Sequence, residues 1–288
     1  MKLILYPRIT VFGLIIFMAG IRMDAETGQV PHDYPFRPVP FTAVHLNDTF
    51  WSPRLETNRV TTIPYAFSKC EESGRMDNFE RAAAVLRGEK ISNHNPPGFP
   101  FDDTDPYKVM EGASYSLAVQ ADPKMSAYLD KLIALIASAQ EPDGYLYTTR
   151  TIDAQHPHKW SGAVRWVNEQ ELSHELYNAG HLFEAAVAHY QATGKTNLLA
   201  VAIKEVELLC KTFGPGTNQL HVWPGHEIVE MGLAKLYRAT GEIRYLTLAK
   251  YFVDVRGSLP GGDAYHQSGM PPVEQSEAIG HAVRAGYL

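Results

Sequence analysis

Three histidines share one local setting: His181 in "NAGHLFEA", His226 in "PGHEIVEM" and His281 in "IGHAVRA". Each follows a glycine and stands before residues with helical apolar spacing, so each is expected at the head of a helix. A neutral imidazole donates through one ring nitrogen and accepts through the other. Three of them brought together would suit a ligand dense in hydroxyls, such as a sugar. They lack the i, i+4 spacing of a helical zinc site. The competing reading is that each ring packs inside its own hairpin, but recurrence in one sequence position favours a shared role.

Aromatic side chains outside the helical stripes form a second group. Trp51, Trp160, Trp166, Trp223, Tyr145, Tyr147 and Tyr265 lie in the first segment or in long connections. Flat rings there either stack on a sugar face or plug the end of a core. Trp166 and Trp223 are the better placed for binding, being close in sequence to His181 and His226. Acidic residues are plentiful, and glycosidic cleavage commonly uses two carboxyl groups of contrasted pKa. Most of them, Glu227 included, read as solvated helix surface or N-terminal caps. Glu111 and Glu184 stand out on otherwise apolar helix faces. No glycine-rich phosphate loop and no Gly-x-Ser-x-Gly elbow is present. Cys70 and Cys210 are the two cysteines, each in an apolar helical pattern. They form neither a disulfide framework nor a zinc signature.

The elements that must position these groups are helical hairpins. "GHLFEAAVAHYQATGKTNLLAVAIKEVELL" from Gly180 and "GHEIVEMGLAKLYRATGEIRYLTLAKYFVDV" from Gly225 align on their turns, equating Tyr190 with Tyr237 and Gly194 with Gly241. Each is a helix, a glycine C-cap and a second helix. A weaker copy, "YKVMEGASYSLAVQADPKMSAYLDKLIALIASAQ", replaces the glycine turn with Asp122-Pro123, and Pro123 suits the first position of a helix. His181 to His226 is 45 residues and His226 to His281 is 55. That period exceeds the 34 residues of a tetratricopeptide solenoid, and the connections are long, which fits an (α/α)6 toroid of inner and outer helices. The residues from Gln275 read as the start of a further inner helix.

The chain has 288 residues, 45% hydrophobic and 20% charged, with a net charge of −6 and no basic block. This composition is globular and offers nothing to attract nucleic acid. "MKLILYPRITVFGLIIFMAGIRMDAETG" has the layout of a signal peptide, assigned to residues 1–25, so a secreted or periplasmic location is expected. Its apolar run is shorter than the roughly 20 residues of a membrane span, and no other stretch approaches that length. No membrane association is expected after cleavage, and nothing specifies an oligomer. Residues 26–59, rich in proline, read as an extended arm with a short strand at "FTAVHL" and a turn at "NDTFW". Residues 60–288 read as a partial toroid, truncated in a helix.

Taken in order, "FTAVHLNDTFWSPRLETNRVTTIP", "DDTDPYKVMEGASYSL", "QEPDGYLYT", "ELYNAGHLFEAAVAHYQATGK", "GHEIVEMGLAKLYRATGEIRYL" and "PVEQSEAIGHAVRAGYL" resemble glycoside hydrolase family 127, the β-L-arabinofuranosidases. The resemblance runs from about Phe41 to Leu288. It implies an exported bacterial enzyme that releases terminal L-arabinofuranose from plant-type glycans with retention, on an (α/α)6 barrel followed by β-sandwich domains. It implies substrate-pocket roles for His181, His226 and His281. It also implies a nucleophilic cysteine thiolate held on zinc, with a separate glutamate as acid/base. In the family those motifs follow the "GHAVRA" segment, and neither Cys70 nor Cys210 lies in a matching one. The catalytic groups and zinc ligands are therefore expected beyond Leu288, and the chain alone is expected to be inactive. Two other readings remain open at the level of sequence: a metal-free glycosidase with paired carboxylates on the same toroid, and a non-catalytic carbohydrate-binding scaffold.

Overall fold

Asp48 starts the first helix. One carboxylate oxygen accepts from the amides of Phe50 at 2.9 Å and Ser52 at 3.2 Å, and from that of Trp51. In the computed structural model, which describes Phe36 and residues 39–288, α1 (Trp51–Thr57) runs through a π-helical stretch (Asn58–Thr62) into α2 (Ile63–Glu72). Helix thus begins inside the stretch expected to be an arm, because Pro53 falls in the first turn, where a missing amide costs nothing. Phe41–Ala43 forms a 3-10 turn behind Pro40 rather than a strand. The leader assigned to residues 1–25 and the arm up to residue 35 lie outside the described residues.

The helical unit, Pro38–Leu288, continues with α3 (Arg75–Leu86), α4 (Thr104–Val119), α5 (Pro123–Ser138), α6 (Thr148–Thr151), α7 (Glu175–Thr193), α8 (Asn197–Thr212), α9 (Val229–Thr240), α10 (Ile243–Val255) and α11 (Ala282–Tyr287). Among the described residues there is no strand, only an isolated bridge between Phe213 and Leu220. Two rows result. Helices α2, α4, α7 and α9 pack side by side, while α3, α5, α8 and α10 back them. This is the inner and outer layering expected of a hairpin toroid. No described helix is long and apolar enough to cross a membrane.

The turns obey local chemistry. Gly194 and Gly241 close α7 and α9 in the left-handed region at φ 71° and 75°, and their amides donate to Tyr190 O at 2.8 Å and Tyr237 O at 2.7 Å. That is the glycine C-cap the repeat predicts. Asp122 caps α5 by accepting from Lys124 N at 3.0 Å and Met125 N at 3.1 Å, with Pro123 in the first turn. The helix read from Gln275 is shorter than expected. Residues 275–281 are irregular, with Gly280 at φ 76°, and α11 starts only at Ala282.

Helix α7 is buried on every side from Glu175 to His189, as a helix wedged between α4 and α9 must be. Its contact with α9 depends on two glycines. A Cβ on Gly180 would lie 2.7 Å from both Ile228 Cγ2 and Val229 N, and one on Gly232 would lie 2.9 Å from Gly180 O and Phe183 Cβ. Gly180→Ala is therefore expected to destabilise by roughly 1–3 kcal/mol through overpacking. Gly112→Ala, in α4 with no atom within 4 Å of the added Cβ, should instead stabilise by up to about 1 kcal/mol from helix propensity. Urea unfolding of the two variants checks the opposite signs; the same sign for both would contradict the close approach.

Candidate functional site

Four imidazoles, not three, meet at one end of the inner row. Tyr177, on the first turn of α7, is their hub. Its ring centroid is 4.6 Å from that of His181, 4.3 Å from His226 and 5.6 Å from His174. His226 stands 5.7 Å from His174 and 5.8 Å from His281. Tyr287 of α11 closes the group, 5.9 Å from His181 and 6.1 Å from His226. The sequence-predicted His181, His226 and His281 are thus brought together. Their positions along the helices differ from expectation: His181 lies in the second turn of α7, His226 in the bend before α9, and His281 is the N-cap of α11, its Nδ1 accepting from Arg284 N at 3.4 Å.

His174, which sequence reasoning missed, is the N-cap position of α7 at φ 60°, and its Nδ1 lies 2.5 Å from Leu172 O. No glycine precedes it, so the pattern that found the others could not. The signal available was a histidine at a helix start in "ELSHELYN".

The recurring glycine has a cause that is not the histidine itself. Each lets its segment lie against another backbone: Gly180 against Ile228 and Val229, Gly225 against Glu169 O at 2.3 Å from a hypothetical Cβ, and Gly280 against Ala264 O at 2.0 Å. The histidines recur because they ride on these crossings.

Backbone strain concentrates in the same loops. The non-glycine residues at positive φ among those described are Trp166 (67°), His174 (60°), Ile228 (128°) and Gln267 (50°). Ile228 is two residues past His226, and the Gln267 amide donates to Ile279 O at 2.5 Å and His281 O at 3.3 Å. A β-branched residue at such φ costs of order 1–3 kcal/mol and persists only where its surroundings hold it.

Burial sets the protonation state of the imidazoles. His181, His174 and His226 are all nearly enclosed. Desolvation, with further positive charge from Lys108 and Arg284, lowers His174 to about 4 and His226 to about 3, and depresses His181 further still. They are neutral near pH 7. Both ring nitrogens of His181 are buried without a hydrogen-bond partner, a costly state for a core group and a useful one for a binding group.

Of the two tryptophans, Trp166 departs from expectation. Trp166 belongs to the hydrophobic core, edge-on to Tyr145 and Phe213 at 5.2 Å each, and is 7% exposed. No face is left for a sugar. Its backbone amide instead donates to both carboxylate oxygens of Glu175, at 3.1 and 2.9 Å, beside the Tyr145 hydroxyl at 2.6 Å. It anchors the start of α7. Trp223, also buried, precedes His226 by one turn of loop and keeps its Nε1 unpartnered. Tyr265, half exposed, contacts His281 at 5.4 Å.

The carboxylates correct a further expectation. Glu227 is not a solvated cap: it is fully enclosed with Arg256, whose Nη1 is 2.8 Å away. Asp103, Glu169, Glu175 and Glu205 are buried too. Glu184 pairs with Lys235 across α7 and α9, and Glu111 accepts from the Tyr115 hydroxyl at 3.2 Å.

No group of three His, Cys, Asp or Glu able to hold a metal occurs among the described residues. Cys70 and Cys210 are free, and burial pushes both thiols up to about 11. Neither fits a zinc-bound or nucleophilic thiolate.

Comparison with known proteins agrees with this architecture. Residues 43–288 match the family model described as the beta-L-arabinofuranosidase GH127 catalytic domain. A non-reducing end beta-L-arabinofuranosidase of Bifidobacterium longum subsp. longum is 42% identical over 281 residues, covering 85% of this chain and 42% of that protein. A solved GH127 beta-arabinofuranosidase superposes with a TM-score of 0.84 at 54% identity, covering 88% of this chain and 39% of its own. The GH127 beta-L-arabinofuranosidase of Geobacillus stearothermophilus T6 gives 0.76 at 36% identity, covering 85% and 40%. The chain thus spans about two fifths of the length of these relatives. By family model, identity and all-helical fold together, it belongs to the GH127 glycoside hydrolases, within their catalytic domain.

Proposed function

We propose that this chain forms the sugar-binding part of a β-L-arabinofuranosidase, with His174, His181, His226 and His281 facing a terminal L-arabinofuranose of plant-type glycans. The observation that carries the reading is the neutral imidazole cluster around Tyr177, in which His181 has two buried, unpartnered ring nitrogens. Such groups recover their lost hydrogen bonds when hydroxyls arrive, which gives a polyol an advantage over water-excluding apolar ligands. The unpartnered Trp223 Nε1 and the strained loops are further support. Export to a secreted or periplasmic location rests on the leader at residues 1–25.

Hydrolysis by the 288-residue chain itself is not expected. Its thiols are held protonated, and among the described residues no carboxylate hydrogen-bonds to any of the four imidazoles. A zinc–thiolate centre of the kind the resemblance implies would draw its ligands from elsewhere than the described residues, so no catalytic step is derived through it.

The test is calorimetric titration of the chain with L-arabinose. Binding that weakens at least about tenfold, or 1.4 kcal/mol, in His226→Ala supports the reading. Equal affinity in the variant would sink it. Release of p-nitrophenol from p-nitrophenyl β-L-arabinofuranoside by the purified chain would overturn the expected inactivity.

A further inference from the structure

Tyr177 joins three of the imidazoles, and one side chain from another helix holds it. Lys108, on α4, donates from Nζ to the Tyr177 hydroxyl at 2.9 Å and to Thr104 Oγ1 at 3.0 Å. We propose that Lys108 is the positioning residue of the histidine pocket, pinning the Tyr177 phenol so that its ring sets the angles of His174, His181 and His226. The inference rests on the sugar-binding reading above.

Three features single out this lysine. Its partners are two hydroxyls rather than a carboxylate, since the nearby Asp105 is engaged by Arg75 at 2.5 Å. A surface lysine would find solvent or an acid; this one is kept mostly from water, and desolvation lowers its pKa with partial compensation from Asp105 and Tyr287. An ammonium donor also fixes the polarity of the phenol. The hydroxyl oxygen accepts from Lys108, and its own proton is left to be donated elsewhere. Finally, the pin joins α4 to α7, so the pocket geometry depends on the relative placement of two inner helices. Lys108 adds positive charge facing His181 and His174, in the same direction as their burial. The groups facing the ammonium are Thr104 and Asp105 from α4, Tyr177 from α7 and Tyr287 from α11.

The test uses Lys108→Met, Lys108→Arg, Tyr177→Phe and the Lys108→Met/Tyr177→Phe double variant of the full chain. The first readout is NMR of the histidine ring protons, which report the ring current of Tyr177. Lys108→Met should move the signals of His181 and His226, while Lys108→Arg, which keeps a cationic donor, should leave them near their original positions. The second readout is L-arabinose affinity. Lys108→Met and Tyr177→Phe should each weaken it about tenfold, and the double variant should be no weaker than either, because two members of one linked pair are not additive. Unmoved histidine signals in a folded Lys108→Met chain, or losses that multiply in the double variant, would overturn the proposal. If the unmodified chain does not bind L-arabinose, the sugar-binding reading fails, while the histidine signals still decide whether Lys108 positions the pocket.

Discussion

Arg256→Met is expected to lower the unfolding free energy by about 3–5 kcal/mol, the range for removing one partner of a buried ion pair. Arg256 is 0% exposed. It faces Glu227 at 2.8 Å and Glu230 at 3.3 Å, and donates to Pro224 O at 2.6 Å and His266 O at 2.7 Å. One guanidinium therefore ties the loop carrying His226, the start of α9 and the loop leading towards His281. A methionine would fill much of the volume but leave two acids and two carbonyls without their donor. Glu227 already has a pKa raised to about 7, because burial outweighs the attraction of Arg256. A raised folded-state pKa favours the fold below the unfolded value near 4.5 and disfavours it as pH rises through about 7. Without Arg256 that imbalance grows, so the deficit of the variant should be larger at pH 8 than at pH 5. Adding Glu227→Gln should recover part of it at pH 8, since a carboxamide carries no charge to desolvate. Urea unfolding at the two pH values checks this. A deficit below 1 kcal/mol, alike at both, would show that Arg256 is not the counter-charge of this loop.

This network also marks where the sequence stops being readable. Gly194, Gly241 and Asp122-Pro123 were legible as turns because a cap is decided by residues within one turn of each other. The alternation of helix and turn then gave the hairpins, and the hairpins gave the layered fold. Glu227 was misread because its counter-charge is 29 positions away in Arg256 and nothing local signals a buried pair. Trp166 failed for a similar reason. A loop tryptophan beside a site and a loop tryptophan plugging a core look alike until Tyr145 and Phe213 are seen packed in T-shaped contact with its ring. For the histidines, the Gly-His pattern picks out three rings that the fold brings together, but by an indirect route, since the glycines answer to backbone crossings. His174 holds its place through a left-handed backbone and a bond to Leu172 O instead. No Gly-His pair marks it in the sequence.

A second large effect comes from Asp103, at the head of α4. Its oxygens meet the Thr148 amide at 2.9 Å and the Thr148 hydroxyl at 2.6 Å, joining α4 to α6 with no exposure to water. Burial, with a smaller push from Asp102, raises its pKa to about 7 against the Thr148 hydrogen bonds, which lower it. Glu205, equally enclosed and close enough to feel Asp103, is raised as well. Both groups are neutral acids in the fold under mildly acidic conditions. In the unfolded chain they ionise near pH 4. The fold is therefore favoured fully below that value and loses stability as pH rises towards 7 and above. With its pKa raised to about 7, Asp103 makes the fold less stable well above that pH than below pH 4 by on the order of 4 kcal/mol. Asp103→Asn mimics the protonated acid: its carbonyl can accept from the Thr148 amide and its NH2 can donate to the hydroxyl. The variant should match the unmodified chain at pH 5 and exceed it at pH 8, by several degrees in midpoint temperature. Thermal unfolding across that range decides it, and equal destabilisation at both values would contradict a protonated Asp103. The lock bears on the pocket as well. Asn178 of α7 donates to Pro100 O at 2.8 Å, in the loop that leads into α4. Loosening this loop at high pH would shift α4, and Lys108 with it, away from Tyr177. Sugar affinity should then fall between pH 5 and 8 in the unmodified chain and fall less in Asp103→Asn, where Glu227 and Glu205 are the buried acids left to ionise beside the pocket and α4.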